Sequence, residues 1–351
     1  MLQHFSNNEY IPYNELLAFY PWETIGFSSE ERAIVSASIG SGKRNICIWA
    51  GMHGNESTGI HIILKLLSEF QMKSGLADDF KLHVIPVINP DAYVRYTRRN
   101  GMGMDLNRDF RAFQTIESAK LIGWIRSIQP ELCFNLHDQR SIFHVNGISA
   151  FTSLLVPSSE KSQAITLTRR TLMNRLGNAL NQIDYDLAGV GRYSDEYYPT
   201  AVGDYLMSQN IPNILIESGV SYGDMFRNKA REFGTEVILK TLIAKDEDCE
   251  VYDTLPLNQK GQLEWVITDL LYANMRVDVS LKRVEAMNGH IKASIYIVDD
   301  LGDLASRPRL FEMDGKDLVL SEALIVDRPV TADFGSVVFE DGKIIAGQLK
   351  E

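Results

Sequence analysis

Short apolar runs alternate with longer stretches of helical periodicity through roughly the first two thirds of this 351-residue chain. The apolar runs predict strands at residues 33–38, 45–49, 81–87, 132–136 and 213–216. The stretches between and after them predict helices at residues 58–72, 116–128, 160–183, 201–208 and 225–245. Strands that are apolar throughout must be covered on both faces of their sheet. The pattern therefore predicts an α/β fold, a three-layer α/β/α domain with a mixed, largely parallel central sheet.

The pattern changes after residue 248, and no strong helical period appears beyond about Ala273. Further strands are predicted at residues 282–285, 291–298, 310–312, 318–326 and 336–339. The dipeptides between them are typical of short turns, namely Asn288-Gly289, Asp314-Gly315 and Asp341-Gly342. We therefore expect two domains, a catalytic-sized domain at residues 1–261 and a small C-terminal β domain of unknown role at residues 262–351.

Charge and cysteine content narrow the class of protein. The chain has 35 Lys and Arg against 46 Asp and Glu, a net charge of −11, which argues against nucleic acid or membrane as partners. No basic segment followed by an apolar run opens the chain, and no apolar stretch approaches the ~20 residues that span a bilayer. Three cysteines are too few for a disulfide framework. A cytoplasmic location is therefore predicted.

A histidine and a glutamate three residues apart lie between the second predicted strand and the first predicted helix. They are His53 and Glu56, in the segment Gly-Met-His-Gly-Asn-Glu-Ser-Thr-Gly at residues 51–59. Another histidine, His137, directly follows the strand at 132–136, and strand ends of an open α/β sheet are where ligands gather. Catalytic zinc takes three protein ligands of these types. The remaining histidines are predicted to be structural: His4, His61, His83, His144 and His290.

A loop rich in arginine follows the strand at 81–87 and therefore begins at the same edge of the sheet. It spans residues 89–110 and contains Arg95, Arg98, Arg99 and Arg108. The planar fork of arginine matches a carboxylate, so the loop is suited to holding an acidic group of a substrate. A solvated surface loop is the alternative.

Taken in order, these motifs resemble those of the zinc carboxypeptidase family of the carboxypeptidase A type. The resemblance covers roughly residues 40–245 and rests on residues 51–59, Asn89-Pro90-Asp91, Thr97-Arg98-Arg99-Asn100, Asp105-Leu106-Asn107-Arg108 and the strand ending in His137. The chain is most similar to short bacterial members such as murein-peptide amidases. The sister branch of aspartoacylases and succinylglutamate desuccinylases shares part of the set.

The resemblance implies a metal centre with one zinc ion. His53, Glu56 and His137 would hold the zinc. Asp105 would lie behind His53 and fix the orientation and tautomer of its ring.

The resemblance also implies roles in binding and chemistry. Arg98 would stabilise the oxyanion, with the adjacent Arg99 as the alternative. Asn107 and Arg108 would bind the free carboxylate of the substrate. Glu217, at the end of the strand at 213–216, would serve as general base and then as general acid.

Other positions carry less specific expectations. A tyrosine that closes over the substrate is expected upstream of Glu217, and Tyr198 is predicted in preference to Tyr193 or Tyr197. Asp204 falls where family members set side-chain preference. Asp109 stands where the family commonly has asparagine, which predicts different local hydrogen bonding.

The sequence thus predicts a zinc-dependent hydrolase that cleaves an amide bond next to a free carboxylate in a small peptide. An N-acyl amino acid deacylase of the aspartoacylase type is the alternative, since a β-rich appendage also occurs in that branch. A non-catalytic binding protein on the same scaffold is the third possibility.

Overall fold

The computed structural model describes residues 10–73, 75–224, 226–288 and 291–349. Its helices are α1 (Tyr13–Phe19), α2 (Thr58–Glu69), α3 (Leu76–Asp79), α4 (Pro90–Arg95), α5 (Ile116–Ile128), α6 (Leu167–Leu180), α7 (Val202–Ser208), α8 (Asn228–Ile243) and α9 (Val251–Thr254). Short 3-10 helices lie at Phe70–Met72, Leu106–Arg108 and Leu187–Gly189.

The strands fall into two sets along the chain. The first set is β1 (Glu23–Phe27), β2 (Ala33–Ile39), β3 (Arg44–Trp49), β4 (Phe80–Ile85), β5 (Leu132–Arg140), β6 (Phe143–Val145), β7 (Ile148–Ser149), β8 (Thr152–Leu155), β9 (Val190–Arg192) and β10 (Asn213–Gly219). The second set is β11 (Gln259–Lys260), β12 (Leu263–Tyr272), β13 (Met275–Asn288), β14 (Ile291–Gly302), β15 (Arg309–Asp314), β16 (Val319–Leu320), β17 (Ala332–Asp333), β18 (Val337–Glu340) and β19 (Lys343–Gly347).

The central sheet has eight strands in the order β1-β2-β4-β3-β5-β10-β8-β9. The pairs β4–β3, β3–β5, β5–β10 and β8–β9 are parallel, and the other three pairs are antiparallel. The strands β4, β3, β5 and β10 therefore form a parallel block in the middle of the sheet, and their carboxyl ends share one edge. The predicted α/β class with a mixed, largely parallel sheet is confirmed.

Side chains of β3 show why the sheet needs helices on both faces. Ile46 and Ile48 belong to the core under α2, α6 and α8, whereas Cys47 and Trp49 belong to the core under α5 and α7. Successive side chains of a strand point to opposite faces, so an unbroken apolar run supplies two cores at once. The three layers follow from this alternation.

Most predicted helices are present, with differences at their ends. The helix predicted at 116–128 has those bounds, but the one predicted at 160–183 begins only at Leu167. Thr166 accepts a hydrogen bond from the backbone N–H of Arg169, and this cap sets the later start. The last predicted helix begins at Asn228, because Arg227 has a left-handed backbone, and its predicted first residue, Met225, lies outside the described residues.

The C-terminal strands form a separate core. β14, β13, β12 and β15 make one sheet in that order, with β16 also paired to β12, and β17, β18 and β19 make another. Trp265 and Phe311 stack in this core with ring centroids 4.2 Å apart. The strand predicted at 318–326 is reduced to β16, and Gly289 of a predicted turn lies outside the described residues, as do His4 and His290.

The two parts of the chain meet at β11, which pairs with β6 next to the central sheet. β12 then begins at Leu263, close to the predicted boundary at 261/262. The division into two domains stays a prediction. Among the described residues, no helix combines the length and apolarity needed to cross a bilayer.

Candidate functional site

The turn between β3 and α2 is shaped by glycines. Gly51 has a φ of +61°, a left-handed conformation that suits glycine. A Cβ at Gly54 would lie 2.0 Å from the carbonyl carbon of Ala92, so only glycine lets this turn pack against α4. The close packing holds His53 and Glu56 at the carboxyl end of β3.

Three buried side chains converge at this edge of the sheet. Nδ1 of His53 lies 2.8 Å from Oε1 of Glu56, and Nδ1 of His137 lies 2.7 Å from Oε2 of the same carboxylate. The ligand atoms of all three residues lie within 4.8 Å of one another. The structure therefore brings together the three residues that were predicted to hold a metal.

The donor set fits a zinc ion. Two imidazole nitrogens and a carboxylate are ligands that catalytic zinc takes, and three of them leave a position for water. Each Nδ1 faces one oxygen of Glu56, so a cation between them would replace the protons that these contacts share. Nε2 of His137 is buried with no hydrogen-bond partner within the described part of the chain.

The ionisation of this cluster follows from burial and charge. Burial opposes charge on His53, but the Glu56 carboxylate and Asp105 outweigh it and raise the pKa of His53 to about 9. Burial likewise disfavours the charged form of Glu56, yet the two histidines hold its pKa well below the usual range. Glu56 is therefore ionised, and its negative charge favours a cation at this cluster.

Glu217 lies beside this cluster on the neighbouring strand. It is the register partner of His137 in the parallel pair β10–β5. Burial, followed by the charge of Glu56, raises the pKa of Glu217 well above its usual value. A partly buried carboxyl group of raised pKa next to a candidate metal site is suited to accept and return a proton.

Both strands continue past the predicted ends at 136 and 216. β5 runs to Arg140 and β10 to Gly219. The polar residues after His137 can stay in a buried strand because their side chains are bonded: Asp138 accepts from the hydroxyl of Thr58, and Gln139 donates to the carbonyl of Ala150. His137 and Glu217 therefore lie within strands rather than after them.

Asp105 and Arg98 lie beside His53, one of the three candidate metal ligands. Nε2 of His53 lies 3.0 Å from Oδ1 of Asp105, and Nε of Arg98 donates to Oδ2 at 3.1 Å. Burial would raise the pKa of Asp105, but the bond from His53 and the charge of Arg98 hold it far below the usual range. Arg99 instead donates to the carbonyl of Gly103 in its own loop.

Asn107 and Arg108 are held close to the segment before α7. The Asn107 side-chain oxygen accepts from the backbone N–H of Val202 at 2.9 Å. The guanidinium carbon of Arg108 lies 5.1 Å from the ring centroid of Tyr198, whose hydroxyl donates to Glu196. Tyr198 thus covers Arg108, the residue predicted to bind the substrate carboxylate.

A cavity of about 690 Å³ joins these groups, and Arg98, Asn107, Tyr198 and Asp204 all line it. Tyr193 lines it too and packs against Phe143 with ring centroids 5.6 Å apart, whereas Tyr197 does not line it. Tyr193 is thus a second tyrosine at the cavity, and the sequence pattern could not separate it from Tyr198.

Asp204 is the other carboxylate of the cavity whose burial changes its chemistry. It is 7% exposed on the first turn of α7, and burial raises its pKa to about 7 despite hydrogen bonds from the backbone. It can therefore be neutral or charged near physiological pH.

Asp109 is not part of the cavity lining, and its carboxylate has a structural role. Its carboxylate accepts from the backbone N–H groups of Gln114 and Thr115 and from the hydroxyls of Thr115 and Ser118. The predicted difference in local hydrogen bonding is thus a buried network at the start of α5.

The cavity lining includes residues that the sequence analysis did not single out, two of them in the segment leading into the C-terminal strands. Asn258 and Lys260 line the cavity, and Asn258 donates to the side chain of Gln139. Arg140 lines it as well and pairs with Glu285 of β13. No sequence signal could have joined Arg140 to a residue so distant along the chain.

Comparison with known proteins gives the family context. Residues 19–140 match the family described as zinc carboxypeptidase. The fold is similar to a metallo-carboxypeptidase from Burkholderia cenocepacia, with 17% identity, a TM-score of 0.51, and coverage of 66% of this chain and 67% of that one. A carboxypeptidase A from Helicoverpa armigera gives 19% identity, a TM-score of 0.51, and coverage of 66% and 71%.

A third structure has a ligand. It is a metallo-carboxypeptidase from Pseudomonas aeruginosa in complex with (2-guanidinoethylmercapto)succinic acid, with 16% identity, a TM-score of 0.51 and coverage of 66% of each chain. No curated protein sequence matches the chain. The predicted resemblance to zinc carboxypeptidases is confirmed by the family match, and so is the prediction that the chain is a hydrolase enzyme.

Proposed function

We propose that this protein is a zinc-dependent hydrolase that cleaves the amide bond next to a free carboxylate in a small substrate. The observation that carries the proposal is the partly buried Glu217 carboxyl group, which lines the cavity and is paired in register with His137 beside the contact between His53 and Glu56. This arrangement would allow a metal ion, a proton acceptor and the scissile carbonyl of a substrate to lie close together.

The proposed chemistry divides between the metal and the protein. When bound by His53, Glu56 and His137, zinc would polarise the scissile carbonyl and acidify water. A carboxylate oxygen of Glu217 takes a proton from the attacking water and delivers it to the leaving amine nitrogen as the C–N bond breaks. The guanidinium of Arg98 donates hydrogen bonds to the carbonyl oxygen as its charge grows.

Substrate positioning is assigned to the residues near α7. Arg108 and Asn107 bind the free carboxylate, and Tyr198 covers it. Asp204 in the same cavity suits a substrate side chain with a cationic group. The ligand of the Pseudomonas aeruginosa structure is named for a guanidino group and a succinic acid, and Asp204 and Arg108 offer charges that complement both.

Replacing Glu217 by Gln tests the proposal. The amide keeps the size of the side chain but cannot accept a proton, so turnover of small peptides should fall by at least about 10³-fold. Zinc content, measured by elemental analysis, should stay at one ion per chain. Full activity in Glu217→Gln would contradict the mechanism, and Glu232→Gln, at an exposed pair with Lys65, is the control that should keep activity.

An N-acyl amino acid deacylase is the second candidate. It is favoured by Asn258 and Lys260, because these residues show that the segment leading into the C-terminal strands lines the cavity. Parallel rate measurements on short peptides and on N-acyl amino acids separate the two functions. Zinc binding without hydrolysis of either class would favour a binding protein.

A further inference from the structure

Asp138 is a buried carboxylate that the proposed chemistry does not use. It follows His137 in β5, and its side chain is fully buried. Its oxygen Oδ2 accepts hydrogen bonds from the backbone N–H of Thr58 at 3.2 Å, from the Thr58 hydroxyl at 2.8 Å and from Nη1 of Arg227 at 2.9 Å. A buried charge is costly unless it is paired and hydrogen-bonded in this way. The group is therefore a closely fixed connection between β5, α2 and the residue before α8.

This connection reaches the candidate metal ligand Glu56 by two routes. Thr58 is the first residue of α2 and lies two residues after Glu56, so the Asp138 side chain holds the helix start that carries the ligand. The backbone N–H of Asp138 also donates to Oε2 of Glu56 at 3.2 Å. The same Glu56 oxygen lies 2.7 Å from Nδ1 of His137. Asp138 thus restrains both the backbone near Glu56 and its carboxylate.

Arg227 completes the connection from a backbone conformation that is uncommon for arginine. It precedes the first residue of α8 and has a φ of +58°, a left-handed value that glycine adopts more readily. Its side chain is only 3% exposed, and Nη1 donates to the Thr58 hydroxyl at 3.3 Å as well as to Asp138. The contacts of the guanidinium give a reason for an arginine at a position whose backbone favours glycine.

The helix that carries Arg227 is itself close to α2. A Cβ added at Gly234 of α8 would lie 2.6 Å from Cδ1 of Ile62 of α2, so the two helices are in close contact there. The segment before α8 follows β10, the strand that contains Glu217. The pair of Arg227 with Asp138 therefore joins the chain beyond Glu217 to the start of α2.

We propose that Asp138 and Arg227 are positioning residues that hold Glu56 in the orientation in which one carboxylate oxygen faces His53 and the other faces His137. The proposal deepens the proposed function and rests on it for zinc as the metal. Both residues act through Glu56 and not as ligands themselves. Partners of this kind behind metal ligands typically change metal affinity or activity 10- to 100-fold, or by about that amount.

Replacing Asp138 by Ala removes the acceptor of all three hydrogen bonds. The zinc Kd, measured by competition with a chelating dye at pH 8, should rise about 10- to 100-fold. Asp138→Asn keeps an oxygen at the place of Oδ2 and should recover most of this loss. Burial raises the pKa of Asp138 to about 6 although the charge of Arg227 opposes the change, so the carboxylate is ionised at pH 8. An unchanged zinc Kd in Asp138→Ala would overturn the proposal.

Replacing Arg227 by Met tests the other end of the connection. The zinc Kd should again rise, and the double variant with Asp138→Ala should lose no more than the weaker-binding single variant, because both changes break the same link. The visible absorption of the cobalt-loaded protein should also change in each single variant, since it reports the geometry of the ligands. Additive losses, or a cobalt spectrum like that of the wild type, would contradict a joint positioning role.

A matched ion pair elsewhere controls for a general loss of stability. Arg175 of α6 is 15% exposed, pairs with Asp246 at 2.7 Å and lies outside the cavity lining. Arg175→Met should lower Tm without changing the zinc Kd, and an equal rise in Kd there would overturn the proposal. If Asp138→Ala does not fold, Thr58→Val removes only the hydroxyl contact and should raise the zinc Kd about two- to tenfold. An unchanged Kd in Thr58→Val would then decide against the proposal.

Zinc binding needs no turnover, which separates this proposal from the proposed function. A wild-type chain that binds zinc but hydrolyses neither peptides nor N-acyl amino acids would defeat the proposed function, while weaker zinc binding by Asp138→Ala would still support the positioning role. A wild-type chain that hydrolyses peptides, with an Asp138→Ala variant that binds zinc equally tightly, would defeat the positioning role alone.

Discussion

At the scale of single residues, burial decides what each carboxylate of the cavity can do. Asp105 is held ionised by a histidine and an arginine, while burial raises the pKa of both Glu217 and Asp204. The same functional group therefore orients a ring, moves a proton or senses pH according to its neighbours. The sequence identifies the residue types, but only the fold sets their pKa.

Asp204 should make side-chain preference depend on pH. Its pKa of about 7 means that the carboxyl is mostly neutral at pH 6 and mostly ionised at pH 8. Because kcat/KM reports the free enzyme, the ratio for peptides ending in Lys against norleucine should rise up to about tenfold between these pH values.

Asp204→Asn removes the titrating group and should leave that ratio flat with pH. The exposed Asp186, changed to Asn, is the control that should retain the rise. A pH-dependent ratio that survives in Asp204→Asn would show that another group is responsible.

At the scale of elements, caps and buried polar networks fix where helices begin. Asp109 shows this most clearly, since four hydrogen bonds connect its carboxylate to residues at the start of α5. α5 covers one face of the central sheet, so its first turn also sets the position of the loop that precedes it. That loop contains Asn107 and Arg108.

Asp109→Asn should lower the free energy of unfolding by about 1–3 kcal/mol, because an amide nitrogen cannot accept the bonds that one carboxylate oxygen now accepts. Urea unfolding at neutral pH measures this loss. The same change at the exposed Asp317 should be close to neutral. Unchanged stability in Asp109→Asn would mean that the network contributes little.

Sequence periodicity predicted the central elements well and the peripheral ones poorly. β3 and α5 were predicted because their apolar patterns record which faces they bury. β6 and β7 were missed, since strands of two or three residues are too short to show a period. The ends of β5 and β10 were missed because the polar side chains there are bonded by residues distant in sequence.

The site divides in the same way. His53, Glu56, His137 and Glu217 could be predicted because each lies next to a recognisable strand or motif. Arg140 could not, because its position depends on Glu285, which is 145 residues away along the chain. Motifs report local geometry, whereas contacts between the two parts of the chain depend on the complete fold.

At the scale of the whole molecule, the chain has two hydrophobic cores, and contacts between the parts that carry them lie beside the cavity. The larger core surrounds the central sheet, and the smaller one lies between the C-terminal sheets. The link between them includes the β11–β6 pair and the Arg140–Glu285 ion pair. Both contacts involve residues next to the cavity, so the second core can influence binding without taking part in the chemistry.

Removing zinc should lower thermal stability. A metal at 1,000 times its Kd stabilises the folded state by about 4.1 kcal/mol, which corresponds to a shift in Tm on the order of 10 °C for a domain of this size. Calorimetry before and after treatment with a chelator measures the shift. If the two predicted domains unfold separately, only the transition of the first should move.

Re-addition of zinc should restore the higher Tm, and the same concentration of magnesium should not, because the site offers two nitrogen ligands. A Tm that is indifferent to chelation, in a protein shown to contain zinc, would place the metal elsewhere.

The pairing of His137 with Glu217 in adjacent strands also limits how this chain can diversify. Side chains alternate along a strand, so inserting or deleting one residue in β5 or β10 would turn one partner to the opposite face of the sheet. Loops such as residues 97–110 and 193–201 are free of that constraint and can change length while the strands stay aligned. New substrate ranges would therefore arise through loop variation around two strands of fixed length.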